Sequence, residues 1–310
     1  MYNTCKPYSA KIEEIIQKTW DTPFCLVTRE NGPYPRIHVR TDRPQVDHTD
    51  GIGTKGIYHW SNKTYEQAAI DAIAMNVNDL LLMGAVPFKM QNHIVIPEDD
   101  HGAILSIVNF LAEYCKKNQI ALTGGETSIQ NNINGMDISL TVSGIVIKTL
   151  FVNRFLPGTT IIGLRSSGIH SNGLTRVTQQ IDAGKFCVER DCLTTPTKIY
   201  SEPIWKVFDH IQGMCHVTGG GFAKLRTFLQ GDAILDMPKD DYPEVFGLLS
   251  KDIPCEEMYR TFNCGWGFLI ATNDPETVLN KIDGKVIGRV VEGTGRVVVK
   301  SAFSDSEVIY

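Results

Sequence analysis

Val46-Asp47-His48-Thr49-Asp50-Gly51-Ile52-Gly53-Thr54-Lys55 is the stretch on which the reading of this chain turns. The run Arg36-Ile37-His38-Val39-Arg40 precedes it and reads as a strand. Two acids then arrive, followed by two glycines and a lysine. Glycine lets backbone N–H groups face a ligand without side-chain interference. Asp47 and Asp50 offer hard oxygen ligands suited to Mg²⁺. Lys55 offers a point charge suited to phosphate. On this reading the stretch is a site for a magnesium-bound nucleotide. The competing reading is a solvated Asp-Gly turn. It is not a P-loop, because Gly-x-x-x-x-Gly-Lys-Ser/Thr is absent.

Composition narrows the classes. The chain has 310 residues, which makes two domains the default. A hydrophobic fraction of 42% and a charged fraction of 21% fit a soluble globular protein. Lys+Arg 30 against Asp+Glu 35 gives −5, so no general basic field invites nucleic acid. No apolar run reaches membrane-spanning length and no signal pattern opens the chain, so membrane partners are not expected. The 8 cysteines are scattered without a Cys-x-x-Cys pair, which reads as reduced thiols in a cytoplasmic protein.

Moving outward, Ile12, Ile15, Ile16 and Thr19 recur at helical spacing and predict a helix over about 8–20. Phe24–Val27 and Arg36–Arg40 predict a hairpin across Asn31-Gly32-Pro33. Thr64-Tyr65-Glu66-Gln67 reads as a capping box. The helix it opens runs to near Gly84 and is apolar round most of its circumference. Asp71, Asn78 and Asp79 lie inside it, and a buried carboxylate is costly unless paired or metal-bound. Asp71 and Asp79 are therefore candidates for nucleotide or magnesium. A strand over Phe88–Ile96 and a helix from Ile104 to near Asn118 follow. Ile120–Thr123 then reads as a strand entering a glycine-acid loop, Gly124-Gly125-Glu126-Thr127. Ile138, Leu140 and Val142 alternate as a half-buried strand does. Helices alternating with polar-faced strands predict an α/β or α+β sandwich rather than a Rossmann fold.

Lys148–Thr160 carries Asn153, Pro157 and Gly158, and the domain boundary is placed there, giving domains 1–152 and 153–310. In the second, strand Thr160–Arg165 feeds Ser166-Ser167-Gly168-Ile169-His170-Ser171-Asn172-Gly173, a good anion or amide pocket ahead of a helix at Leu174. His170 suits a general acid/base or a phosphate donor, or is simply a structural histidine. Thr195-Pro196 predicts a helix start. Thr218-Gly219-Gly220-Gly221 before a helix near Phe222 again suits phosphate, with a tight packing turn as the alternative. Cys264 reads as a packed small residue, not a nucleophile.

Six pieces carry a resemblance: Asp50–Lys55; Ala74–Leu80 with Gly84-Ala85-Val86-Pro87; Gly124–Thr127; Ser166–Gly173; His216–Phe222; and Met258–Gly265. In this order they resemble the phosphoribosylformylglycinamidine cyclo-ligase (aminoimidazole ribonucleotide synthetase) family. The first three also fit the wider superfamily, which includes selenophosphate synthetase and thiamine-phosphate kinase. The resemblance implies two α/β domains, the N-terminal strands of two subunits closing a barrel in a homodimer. It also implies ATP-dependent ring closure of formylglycinamidine ribonucleotide, a small-molecule nucleotide substrate of purine biosynthesis. By position, Asp50, Asp79 and Glu126 would hold Mg²⁺. ATP would lie against Asp50, Gly51, Gly53, Thr54, Lys55, Asp71, Asn78, Gly124, Gly125 and Glu126. Ser166, Ser167, His170, Asn172, Thr218, Gly219, Gly220 and Gly221 would hold the substrate. Lys55, Asp79 and His170 would act in catalysis. The chain departs from the family pattern over Thr22–Thr28, which lacks the usual glycines, and at Tyr65, Asn92 and Ile129. These departures leave open another acceptor for the same ATP chemistry, or a nucleotide-binding homologue without turnover.

Overall fold

In the computed structural model, residues 8–29, 35–186, 189–239 and 241–310 are described. The chain divides into two units, Met1–Thr149 and Leu150–Tyr310. The first runs α1 (Ser9–Gln17), β1 (Cys25–Thr28), β2 (Arg36–Val39), β3 (Gln45–Gly51), α2 (Lys55–Asn62), α3 (Tyr65–Leu81), β4 (Ala85–Ile96), α4 (His101–Lys117), β5 (Ala121–Ile129) and β6 (Asp137–Val146). The expected β1–β2 hairpin is present, while its turn at Asn31-Gly32-Pro33 lies outside the described residues. Four strands form one sheet in the order β3-β6-β4-β5. Only β4 and β5 run parallel, because α4 makes the crossover between them. Asp100 starts α4 by accepting the Ala103 N–H at 3.0 Å.

Helix α3 lies on one sheet face, against β3, β6 and β4. Ala68, Ala69, Ala72 and Ala74 are fully buried, and these small side chains let the helix axis approach the strands. The opposite face is polar, since strand side chains alternate. It carries Thr49, Gln91, His93, Ser139 and Thr141, with Thr49 and Thr141 hydroxyls 2.9 Å apart. Among the described residues β3 and β5 are the sheet's outer strands, the edge of β5 being met at Leu122 by Thr19 Oγ1 and Trp20 Nε1, and no strand closes the sheet into a barrel.

Local expectations fail in four places. Thr64 does not cap α3; its hydroxyl meets His59 Nδ1 at 2.8 Å instead. Gly124 and Gly125 sit inside β5, not in a loop after it. No helix starts at Thr195-Pro196: the next helix begins at Ser201, because Pro196 and Thr197 are engaged by the Ser166–Gly173 loop. The segment from Gly221 to Phe228 is 3₁₀ rather than α.

The second unit contains β7 (Thr160–Arg165), α5 (Leu174–Asp182), α6 (Arg190–Thr194), α7 (Ser201–Val207), β8 (Gly213–His216), β9 (Asp232–Asp236), α8 (Glu244–Leu249), α9 (Cys255–Thr261), β10 (Trp266–Thr272), α10 (Pro275–Lys281), β11 (Lys285–Val291), β12 (Val297–Lys300) and β13 (Glu307–Ile309). Its sheet has the order β13-β12-β9-β11-β7-β10-β8. Every residue of β10 is buried, as expected of a strand paired on both edges and covered on both faces.

One buried acid anchors the turn into β12. Asp232 Oδ1 accepts the N–H groups of Thr294, Gly295 and Arg296 at 2.7, 3.0 and 2.9 Å, and Oδ2 takes the Arg296 guanidinium at 2.9 and 2.7 Å. The Arg296 backbone and side-chain donors lead in holding this carboxyl down at about 2. A depressed pKa stabilises the fold above the unfolded carboxylate value and is lost as pH falls through the folded one. Asp232→Asn turns an amide donor toward the guanidinium. The expected result is a lower Tm at neutral pH, with the gap to wild type closing as pH falls from about 4. A thermal melt series across that range checks it.

Candidate active site

In the first unit β3 alternates, so His48 and Asp50 face α3 while Asp47 and Thr49 face the other way. Asn76 and Asp79, three residues apart on α3, meet them. Asn76 Nδ2 donates to the Asp50 carbonyl at 3.1 Å, and Asn76 Oδ1 takes His48 Nδ1 at 3.0 Å. His48 Nε2 lies 3.3 Å from Asp79 Oδ2. The hydrogen bond to Asp79 leads in raising the His48 pKa, burial opposes it, and the Asp50 charge adds to the rise. Asp79 is thus joined to the His48 imidazole, whose charge state the Asp50 charge also favours, and Asp79 is 15% exposed at its side chain. Asn78 is fully buried in α3.

Among the described residues no three His, Cys, Asp or Glu side chains form a ready-made metal cluster. The carboxylates of Asp50 and Asp79 are nevertheless the hard oxygen donors that Mg²⁺ takes, with waters and phosphate oxygens completing its shell.

Glu126 does not join this pair. Asp50 is opposite Leu140, Leu140 opposite Asn92, and Asn92 opposite Gly125. Glu126 is thus three strand spacings away, about 14 Å, and on the other face. There it accepts the Thr127 N–H at 3.0 Å and lines a cleft of about 710 Å³ with Gly124, Gln91, His93 and Thr141. At Gly125 the Asn92 amide fills the space a Cβ would take, 2.4 Å from Oδ1.

Lys55 is also placed otherwise than expected. Its side chain is 1% exposed and its ammonium lies 2.9 Å from Asp71, which is 0% exposed. His59 Nε2 reaches the same carboxylate at 2.8 Å. Burial pushes Asp71 up, but the Lys55 charge and the His59 hydrogen bond outweigh it and hold the carboxyl well below the usual range. Lys55 and Asp71 are packed against each other inside the unit. Gly51, Gly53 (φ +53) and Thr54 form the turn above them.

In the second unit, three of the sequence pieces meet. His170 adopts φ +65 and is 1% exposed. Its Nε2 accepts the N–H groups of Ser167 and Lys198 at 3.2 and 3.5 Å. An accepting Nε2 requires the neutral ring. His170 thus holds the loop's shape and is not arranged as an exposed acid. Ser167 Oγ donates to the Pro196 carbonyl at 2.5 Å, and Ser171 pairs with Thr197 at 3.0 Å.

Asn263 Nδ2 donates to the carbonyls of Gly168 and Ile169 at 2.8 and 3.1 Å. Gly221, at φ +53, packs where a Cβ would lie 2.1 Å from the Tyr259 carbonyl. Asn172 Oδ1 lies beside Gly219, 3.6 Å from where a Cβ would stand. The buried Ser166 Oγ and Asn172 Nδ2 have no hydrogen-bond partner among the described residues. Such atoms call for an external partner. Burial pushes the Cys264 thiol up, in keeping with a packing role.

Sequence reading missed Thr197, Lys198, Asn263 and Lys224 as parts of this cluster. Of these, Asn263 lay inside the resemblance piece Met258–Gly265, which was the usable signal.

Fold and site together define a two-domain α/β protein with paired acids on one unit and a glycine- and amide-lined loop cluster on the other. The chain belongs to the AIR synthase related proteins: residues 35–146 match the family's N-terminal domain and residues 157–300 its C-terminal domain. It is similar to the phosphoribosylformylglycinamidine cyclo-ligase of Saccharolobus solfataricus, with 36% identity over 80% of this chain and 79% of that one. The enzyme of the same name from Methanobrevibacter smithii is 33% identical over 92% and 90%.

Among solved structures, hydrogenase maturation protein HypE in complex with ATP aligns with a TM-score of 0.71 at 16% identity, over 99% of this chain and 95% of that one. Thiamine-monophosphate kinase from Stenotrophomonas maltophilia aligns at 0.67 and 18%, over 94% and 96%. At such identities these two speak for the fold alone.

Proposed function

We propose that this chain is a ligase of purine biosynthesis that closes the imidazole ring of formylglycinamidine ribonucleotide, with ATP converted to ADP and phosphate. One observation carries the reading. The loop Ser166–Gly173, the turn Thr218–Gly221 and the segment Tyr259–Asn263, the pieces that resemble the cyclo-ligase in particular, are joined by direct contacts. Relatives of that name share 33–36% identity over most of both chains.

In this reaction the formyl oxygen takes the γ-phosphoryl group, the amidine nitrogen attacks the same carbon, and the carbon–oxygen bond breaks as phosphate leaves. Such chemistry needs positioning and charge neutralisation more than covalent help from the protein. Asp50 and Asp79 are the residues that would hold Mg²⁺, which neutralises phosphate charge when bound. Asn76 holds the Asp50 backbone carbonyl and the His48 ring, and His48 holds the Asp79 carboxylate. Ser166, Asn172 and the Thr218–Gly221 turn offer the substrate donors and one amide carbonyl. The proposal includes a cytoplasmic homodimer, in which a second copy would pair the β3 edge of the first unit's sheet, because exposed edges of this kind are ordinarily covered.

The test is coupled ADP release with purified protein. ADP should form with formylglycinamidine ribonucleotide and not without it. ADP release with another amide or phosphate acceptor, and none with this one, overturns the reading.

A further inference from the structure

We propose that Gly267 is a positioning residue for the reaction: the side chain it lacks leaves the seat in which the Tyr200 hydroxyl and the His170 ring fix the Ser166–Gly173 loop. The inference rests on reading that loop as part of the substrate's site and goes further, by naming the residue outside the loop that sets its place.

Gly267 lies in β10, where the register against β7 shifts between Trp266 and Phe268. An irregularity of this kind bends the strand and re-aims the groups beside it. The backbone here serves two loops at once. The Gly265 carbonyl takes the Ser166 N–H at 2.9 Å. The Gly267 carbonyl takes the Val217 N–H at 3.0 Å, one residue before the Thr218–Gly221 turn.

Space, not conformation, demands glycine at 267, since its backbone lies outside the left-handed region. A Cβ would stand 2.1 Å from Tyr200 Oη, 2.5 Å from His170 Cε1 and 3.1 Å from Tyr200 Cζ. Both neighbours are enclosed. Tyr200 is fully buried, its ring centroid is 5.2 Å from that of Phe268, and its hydroxyl donates to the Arg165 carbonyl at 2.9 Å. Arg165 is the residue that leads into Ser166. His170 is also buried, and its Cε1 is bonded to the Nε2 that accepts from Ser167 and Lys198. Pushing Cε1 aside therefore draws the acceptor away from the Ser167 N–H.

Both loops thus hang from one short stretch of backbone, and the room of a single methyl group decides where one of them lies. Contacts to a bound substrate depend on such placement, because a shift of about 1 Å costs about a hundredfold in rate.

The test uses three variants. Gly267→Ala should lower Tm by overpacking. Tyr200→Phe removes the hydroxyl, so in the double variant the added Cβ meets Cζ at 3.1 Å while its conflict with His170 Cε1 remains. The double variant should therefore melt close to Tyr200→Phe alone. Its kcat/KM for formylglycinamidine ribonucleotide should lie about 100-fold below that of Tyr200→Phe, with KM for ATP the same in both. The backbone amide resonances of Ser167 and Lys198 give a readout that needs no turnover, and they should move in the double variant relative to Tyr200→Phe.

Equal kcat/KM for the ribonucleotide in the double variant and Tyr200→Phe overturns the positioning role, as does a loss that appears in KM for ATP as well. Unmoved Ser167 and Lys198 resonances overturn it too, with the cyclo-ligase reading intact. Absence of wild-type turnover overturns the cyclo-ligase reading, while moved resonances would still support Gly267 as the seat of the loop.

Discussion

Lys55→Met should destabilise the protein by about 3–5 kcal/mol, the range for removing one partner of a buried, hydrogen-bonded ion pair. In melts this is a fall in Tm of about 10 °C or more. The reason lies in the packing around Asp71. Its carboxylate is wholly buried and is neutralised by the Lys55 ammonium at 2.9 Å and tied to His59 Nε2 at 2.8 Å. His59 in turn meets the Thr64 hydroxyl at 2.8 Å. Stripping out the ammonium leaves a charge in an apolar surrounding, whereas removing the whole set leaves none. The triple variant Lys55→Met, Asp71→Leu, His59→Phe should therefore regain most of the lost Tm, since well-packed apolar replacements of buried ion pairs are often neutral.

The same variants decide what Lys55 does. Sequence spacing marks it as a phosphate contact, while the structure buries it. If it positions the Gly51–Thr54 turn, KM for ATP should recover in the triple variant along with Tm. If it touches phosphate, Tm should recover and KM for ATP should stay raised. The pH response adds a sign. The Asp71 carboxyl is held low, so its contribution is present above the unfolded value near about 4 and is lost as pH falls below it. The stability of wild type relative to the triple variant should decline through that acid range.

This triad marks the limit of what the sequence made legible. Helix α3 was readable because Ala68, Ile73, Val77 and Leu80 leave little polar circumference, and β6 because Ile138, Leu140 and Val142 alternate. Both patterns are local and periodic. The burial of Lys55 is neither: lysine is ordinarily solvated, and its partner Asp71 lies on the following helix. The one local hint was His59, a turn after Lys55.

Thr64 failed as a cap for a related reason, since a tertiary partner claimed its hydroxyl. Thr195-Pro196 failed because Ser167 and Ser171 hold the chain extended there. Glu126 was misjudged by parity. Reading Gly124-Gly125 as a loop leaves the next side chain free to turn anywhere, but a continuing strand commits Glu126 to the face opposite Asp50. The convergence of Asn172 with Gly219, and of Asn263 with Gly168, needed the tertiary structure, because chain separation carries no distance.

Asp79→Asn should slow ADP formation about a hundredfold or more, with Tm close to wild type. The amide is isosteric and can still accept from His48 Nε2, so the packing of β3 on α3 is kept. What disappears is one of the two negative charges, Asp50 and Asp79, proposed to hold Mg²⁺. Metal-assisted charge stabilisation is worth several kcal/mol in the transition state, and each 1.36 kcal/mol is tenfold in rate. The loss should be partly recovered by raising the Mg²⁺ concentration, since weaker binding can be offset by mass action. Glu126→Gln supplies the contrast: across the sheet and on the other face, it should leave the Mg²⁺ requirement unshifted. A Mg²⁺ titration of both variants separates the two roles. Equal shifts would place Glu126 at the same ion as Asp79 and would overturn the separation read from strand register. No shift in Asp79→Asn would remove the ion from the acid pair altogether.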